Sequence, residues 1–232
     1  MLTIPLSGIC ASARPDATKI ERTTNHRQTA GRAPPEPART AGRAPTPFCV
    51  LTPAGPRDIL RSMSPQRWFE RKFAFDLPLS LFPNVLERLR GTPARLEERV
   101  CPLPPDTLVA RLQDTWSIQE NVGHLRDLEP LWTRRAEQVL AGQGELAVAD
   151  LTNRGTDEAH HNATPLDTLL KEFRALRLRF VSILEGADAS VLERTARHPR
   201  LGTPMRLIDI AFFTAEHDDH HLARITELTR LL

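Results

Sequence analysis

Apolar residues recur at helical spacing in four long stretches of the chain, and no run alternates with the period of two that a half-buried strand requires. Breakers and caps delimit the stretches. Pro78 and Pro83 make the first entry irregular, and Leu79 to Arg90 is expected to end at Gly91, with a short helix over Pro93 to Val100 behind it. Ser117 followed by Glu120 forms a capping-box pattern, so a second helix is expected from about Ile118 to Ala141, stopping at Gly142 and kinked at Pro130. Thr164-Pro165 and Asp167 open a third, whose apolar positions run Leu166, Leu169, Leu170, Phe173, Leu176, Phe180, Ile183 and Leu184 before Gly186. Thr203-Pro204 opens a fourth that continues to the C-terminus. The pattern predicts an all-α, antiparallel four-helix bundle with a long connection between its second and third helices.

Within that pattern, histidines fall where apolar residues belong. At roughly 100° per residue, with His217 at 0°, His221 lies near +40° and His220 near −60°. Leu207, Ile210, Thr214, Ile225 and Leu228 occupy roughly +20° to +80°, so His217 and His221 share the face this helix should bury while His220 does not. On the second helix, measured from His124, Leu128 lies near +40°, Leu131 near −20° and Trp132 near +80°, which puts His124 on an apolar face as well. A buried imidazole must be hydrogen-bonded or ligated. Taken singly, a His-x-x-x-His pair is a weak signal, and a core imidazole bonded to a neighbouring carbonyl is the plain alternative for His124. The zincin pattern is absent, because Asp218 rather than Glu follows His217.

The segments WSIQENVGHLRDLEPLW (Trp116 to Trp132) and AEHDDHHLARI (Ala215 to Ile225), with RLRGTPARLEERV (Arg88 to Val100), ADLTNRGTDEAHHN (Ala149 to Asn162) and FRALR (Phe173 to Arg177), together resemble the DinB/YfiT-like family of metal-dependent enzymes. The resemblance spans roughly residue 65 to the end and implies a DinB-like four-helix bundle. One histidine on the second helix and two at i, i+4 on the fourth bind a divalent metal in that family, which by position implies His124, His217 and His221. Three imidazoles leave a tetrahedral ion one open position for water or substrate, and zinc, nickel and ferrous iron all accept them. The family further implies thiol-dependent transferases and isomerases, in which a low-molecular-weight thiol is activated. Metal-assisted hydrolysis is the alternative chemistry, and a stress-related metal-binding or dimerisation module the alternative without turnover. Among neighbours of the site, Glu120 is a candidate to orient an imidazole or accept a proton from metal-bound water, against its capping role. Asp218 and Asp219 are expected to be solvated, as is the loop holding His160, His161 and Asn162.

Composition bounds the rest. The 232 residues, 40% hydrophobic and 26% charged, suffice for one sizeable core. Residues 1–62 carry nine Arg/Lys against four Asp/Glu, and the remainder 22 against 25. A mildly acidic domain lacks the basic stripe of a nucleic-acid surface. The leader is Pro- and Arg-rich, repeats Thr29-Ala-Gly-Arg-Ala-Pro34 at Thr40-Ala-Gly-Arg-Ala-Pro45, and is expected to be disordered. Met63 is a plausible start, ahead of a domain over 63–232; a transit peptide is the other reading of residues 1–62. No stretch is apolar enough to span a membrane. Cys101 is the single cysteine of the domain and is expected to pack rather than react. A cytoplasmic setting, a small-molecule substrate and a possible homodimer complete the expectations.

Overall fold

The computed structural model describes residues 63–232, and the expectations for residues 1–62 lie outside them. Six helices and one hairpin follow in order: α1 (Phe82–Val100), α2 (Pro105–Val109), α3 (Ile118–Leu140), α4 (Arg154–Glu158), α5 (Leu166–Glu185), β1 (Ala196–Arg197), β2 (Pro204–Met205) and α6 (Leu207–Leu231). The four long helices form a bundle in which α1 and α3 each pack against both α5 and α6. No helix among the described residues is long and apolar enough to cross a membrane.

The second and third helices match their sequence signals closely. Ser117 accepts from the Glu120 amide while the Glu120 carboxylate accepts from the Ser117 amide, closing the capping box, and Pro130 is accommodated within α3. Two expected helix boundaries need correction. The first helix does not stop at Gly91 but runs through Pro93 to Val100. Leu89, Leu96 and Val100 are fully buried on one continuous face, and Arg88 and Arg95 on either side of the break both bond Asp219 of α6. Burial over that length outweighs the local cost of Gly and Pro. Pro204 does not open α6 either; it pairs with Arg197 in a two-residue antiparallel ladder, and the helix begins at Leu207 with the Asp209 carboxylate accepting from the Arg206 amide. Cys101 packs against the Leu96, Phe173 and Leu222 cluster, as expected, and is disulfide-bonded.

A buried polar layer crosses the bundle, with one residue from each long helix. Thr92, Glu129, Arg177 and Asp218 are all inaccessible to solvent. The Arg177 guanidinium pairs with both carboxylates, and Thr92 donates to Asp218 at 2.8 Å. Asp218, expected at the surface, is therefore internal, because α6 packs against both α1 and α3 and keeps little solvated face. Burial, opposed by the guanidinium but reinforced by the second carboxylate, pushes Glu129 up to about 7.

The layer separates two apolar clusters and reveals the helix directions. Along α1 and α6 the chain passes from the Leu89, Phe180 and Phe213 cluster to the Leu96, Phe173 and Leu222 cluster, and along α3 and α5 it passes the opposite way. Successive pairs α1–α3 and α5–α6 are thus antiparallel, as expected, while α3 and α5 run in parallel. A parallel pair cannot be joined by a tight turn. The long segment 141–165 is the return crossing, and its Thr156 meets His124 of α3.

Candidate metal centre

His124 on α3 and His217 and His221 on α6 are buried together, with ligand nitrogens all within 4.8 Å of one another. The Nε2 atoms of His217 and His221 are 3.3 Å apart. His220 is only half-buried and contributes no nitrogen to this group, its ring lying edge-on to His221.

Hydrogen bonds fix which nitrogens are bare. His221 Nδ1 lies 2.9 Å from Asn121 Oδ1, whose own amide donates to the Ser117 carbonyl, so the ring proton sits on Nδ1 and Nε2 keeps its lone pair. His124 Nδ1 lies 3.0 Å from Thr156 Oγ1, the Thr156 hydroxyl donates to Asp127 Oδ2, and His161 Nε2 lies 2.7 Å from the same carboxylate oxygen. This relay likewise places the His124 proton on Nδ1 and leaves Nε2 bare. Of the three rings, His217 alone has a buried nitrogen without a partner, its Nδ1.

Burial keeps the cluster neutral. It lowers His124 to about 4 even though the Asp127 carboxylate pulls upward. His217 and His221 are held well below the ordinary value, first by burial and then by their imidazole neighbours. Neutral rings with convergent lone pairs are the protonation state a metal requires. The donor set therefore fits a divalent ion: His124 and His221 present bare Nε2 atoms, and His217 turns its own Nε2 to within 3.3 Å of that of His221.

A cavity of about 720 Å³ opens onto the three rings. Trp116 lies over His124 with centroids 4.6 Å apart, and Trp68 and Trp132 flank His217 at 5.0 and 5.6 Å. Leu128, Leu131 and Phe213 complete a largely apolar wall. Trp68 belongs to the segment before α1, which Arg71 ties to Glu216 of α6.

The wheels thus selected three residues that the fold brings together, but not those that hold them. Glu120 does not reach an imidazole; it caps α3 and pairs with Arg111, which with the Ser117 amide holds it below its ordinary value against the opposing effect of burial. The neighbouring Asn121 does the orienting instead. His161 is no solvated loop residue, for it is 3% exposed and its ring occupies the space where Gly123 lacks a side chain. An unexplained glycine inside a helical pattern was the available signal.

The match that decides the family covers residues 88–225, where the chain fits the model of the DinB superfamily. The chain belongs to the DinB superfamily. As a DinB-superfamily bundle it is similar to YfiT from Bacillus subtilis, described as a probable metal-dependent hydrolase with an unusual four-helix bundle topology, at 20% identity and a TM-score of 0.63 over 69% of this chain and 93% of that one. It is also similar to a mycothiol-dependent maleylpyruvate isomerase, at 11% identity and a TM-score of 0.52 over 65% of this chain and 62% of that one, under two thirds of the isomerase's length. At these identities the two likenesses establish the fold. A search of curated proteins gives no match.

Proposed function

We propose that this DinB-superfamily protein is a metal-dependent enzyme acting on a small molecule, that His124, His217 and His221 hold one divalent ion, and that the reaction is a thiol S-transfer. The observation that carries the reading is the convergence of three neutral, buried imidazoles on the floor of an aromatic cavity. When bound, the ion supplies Lewis acidity toward a thiol, a water or a carbonyl group at its open position. Zinc, nickel and ferrous iron remain the candidates.

The chain's own residues do the rest. Asn121 holds the His221 ring, and the Thr156, Asp127 and His161 relay holds His124, so both rings keep a fixed tautomer and orientation. Trp68, Trp116 and Trp132 surround the histidines with apolar surface, which strengthens electrostatic interactions at the open position. Among the described residues no carboxylate is hydrogen-bonded to the three rings to act as a general base for water, whereas a thiol is far more acidic than water and can lose its proton without one. This favours a thiol, and the mycothiol-dependent isomerase supports it by its own description; the description of YfiT supports hydrolysis as the second reading.

The test is spectroscopic and then catalytic. Cobalt-substituted protein should develop a sulfur-to-metal charge-transfer band on addition of a small thiol, and the band should be missing in His221→Ala. Substrate-dependent loss of free thiol with an electrophile would establish transfer. A cobalt spectrum unmoved by every thiol would remove the transferase reading and leave hydrolysis.

A further inference from the structure

The cavity has a second polar end, separated from the histidines by aromatic rings. His198 lies in the turn between β1 and β2, 5.5 Å from the ring of Phe213, and the Arg135 guanidinium lies 5.4 Å from the ring of Trp132, which itself contacts His217. Arg200 follows in the same turn, its guanidinium 5.3 Å from the ring of Phe69. All three line the cavity.

These groups are built to donate, and among the described residues they meet no anion. His198 Nδ1 accepts from the amides of Arg200 and Leu201, both at 3.2 Å, so the ring proton is on Nε2. That Nε2 is buried with no partner, on a residue only 3% exposed. Arg135 is 2% exposed, and its guanidinium bonds one neutral acceptor, the Ala147 carbonyl, through Nε and Nη2. No carboxylate among the described residues pairs with Arg135 or Arg200. The acids that also line the cavity are engaged elsewhere: Asp150 accepts from Thr152 and Gly155, and Glu227 pairs with Arg224. Burial first, and then the two guanidinium groups, push His198 down to about 4, while burial and Arg200 lower Arg135 to about 10. A buried N–H without an acceptor and a buried cation without an anion both destabilise the protein unless a ligand completes them.

We propose that His198, Arg135 and Arg200 form the anion-binding subsite of this cavity, taking the carboxylate or phosphate of a small, otherwise apolar substrate whose reacting group faces the three histidines. The proposal rests on the metal-dependent reading only for the position of the reacting group. A guanidinium fork matches a carboxylate or phosphate edge, and His198 Nε2–H adds a neutral donor beside it. The aromatic rings between the two ends would carry the apolar body of the ligand. The hairpin that the hydrophobic pattern did not foretell thereby has a task, since its turn holds His198: the His198 amide donates to Thr203 and its carbonyl accepts from Gly202.

Binding of benzoate, of neutral benzamide and of inorganic phosphate to the purified protein, followed by calorimetry, tests this. Benzoate should bind at least about tenfold more tightly than benzamide. The preference should fall to near parity in Arg200→Gln and in His198→Asn, whose Oδ1 can replace Nδ1 as acceptor for the turn amides while removing Nε2. It should persist in His221→Ala. Phosphate binding with the same dependence on Arg200 and His198, without benzoate binding, would assign the subsite to phosphorylated rather than carboxylate ligands. A preference lost in His221→Ala but retained in both other variants would place the carboxylate on the metal and overturn the subsite while leaving the metal centre intact. Equal affinity for benzoate and benzamide, or no saturable binding of either anion, would also overturn it.

Discussion

Adding one methyl group at Gly123 should have the opposite effect to adding one at Gly91, although both glycines lie inside long helices. A Cβ at Gly91 meets nothing within 4 Å, so Gly91→Ala should show only the helical preference for alanine, a gain of about 1 kcal/mol. At Gly123 the Cβ would stand 2.2 Å from His161 Cγ, 2.3 Å from Cδ2 and 2.5 Å from Nδ1. The ring cannot tolerate this and must move, taking with it the His161 bond to Asp127. Overpacking costs about 1–3 kcal/mol and a hydrogen bond to a charged group contributes about 1.5–3 kcal/mol, so after the helical gain Gly123→Ala should lose roughly 1.5–5 kcal/mol. For a domain of this size each kcal/mol moves the melting midpoint by about 2–4 °C. The relay continues through Asp127 and Thr156 to His124, so metal affinity should also fall, by about 10–100-fold. Thermal and urea unfolding of the two variants beside the wild type, with metal content measured on each, supply the comparison. A Gly123→Ala protein as stable as Gly91→Ala and with full metal content would refute the reasoning.

Alanine at His124, His217 or His221 should abolish stoichiometric divalent-metal binding, while His220→Ala retains it; elemental analysis showing equal loss in all four would defeat the assignment. Arg177→Met strands Glu129 and Asp218 without their cation and should destabilise by about 3–5 kcal/mol in urea unfolding, whereas replacing all three by apolar residues should restore much of the loss. A loss below about 1 kcal/mol for the single change would show that the polar layer carries little energy. For acid, His124 and His198 are depressed from 6.5 to about 4 and His217 and His221 lie well below 6.5, so below that value the unfolded chain takes up protons the native state refuses. Metal-free protein should therefore be most stable above pH 6.5 and weaken progressively toward pH 4. Glu129, raised to about 7, acts in the opposite direction but is one group against four. A urea midpoint that rises between pH 6.5 and pH 5 would contradict this.

The sequence by itself determined the helices of α3 and α5, the bundle class and the three histidines, because each depends on information local to one element. A capping box needs only Ser117 and Glu120, and the sharing of a face by His217 and His221 needs only the helical pitch. The tertiary structure decided what depends on neighbours from distant segments. Gly91 reads as a stop until the Asp219 carboxylate of α6 and a continuous buried face hold the helix through it. Asp218 reads as solvated until Arg177 meets it inside the bundle, and the parallel course of α3 and α5 leaves no mark in either helix's periodicity. Thr156, Asp127 and His161 became the support of His124 only when the return crossing was laid against α3, and Asn121 that of His221 only when α3 met α6. His198 and Arg135, over sixty residues apart, share a cavity for the same reason. Periodicity records which face a helix buries, whereas what that face meets is set by the packing of elements whose separation in the chain carries no local signal.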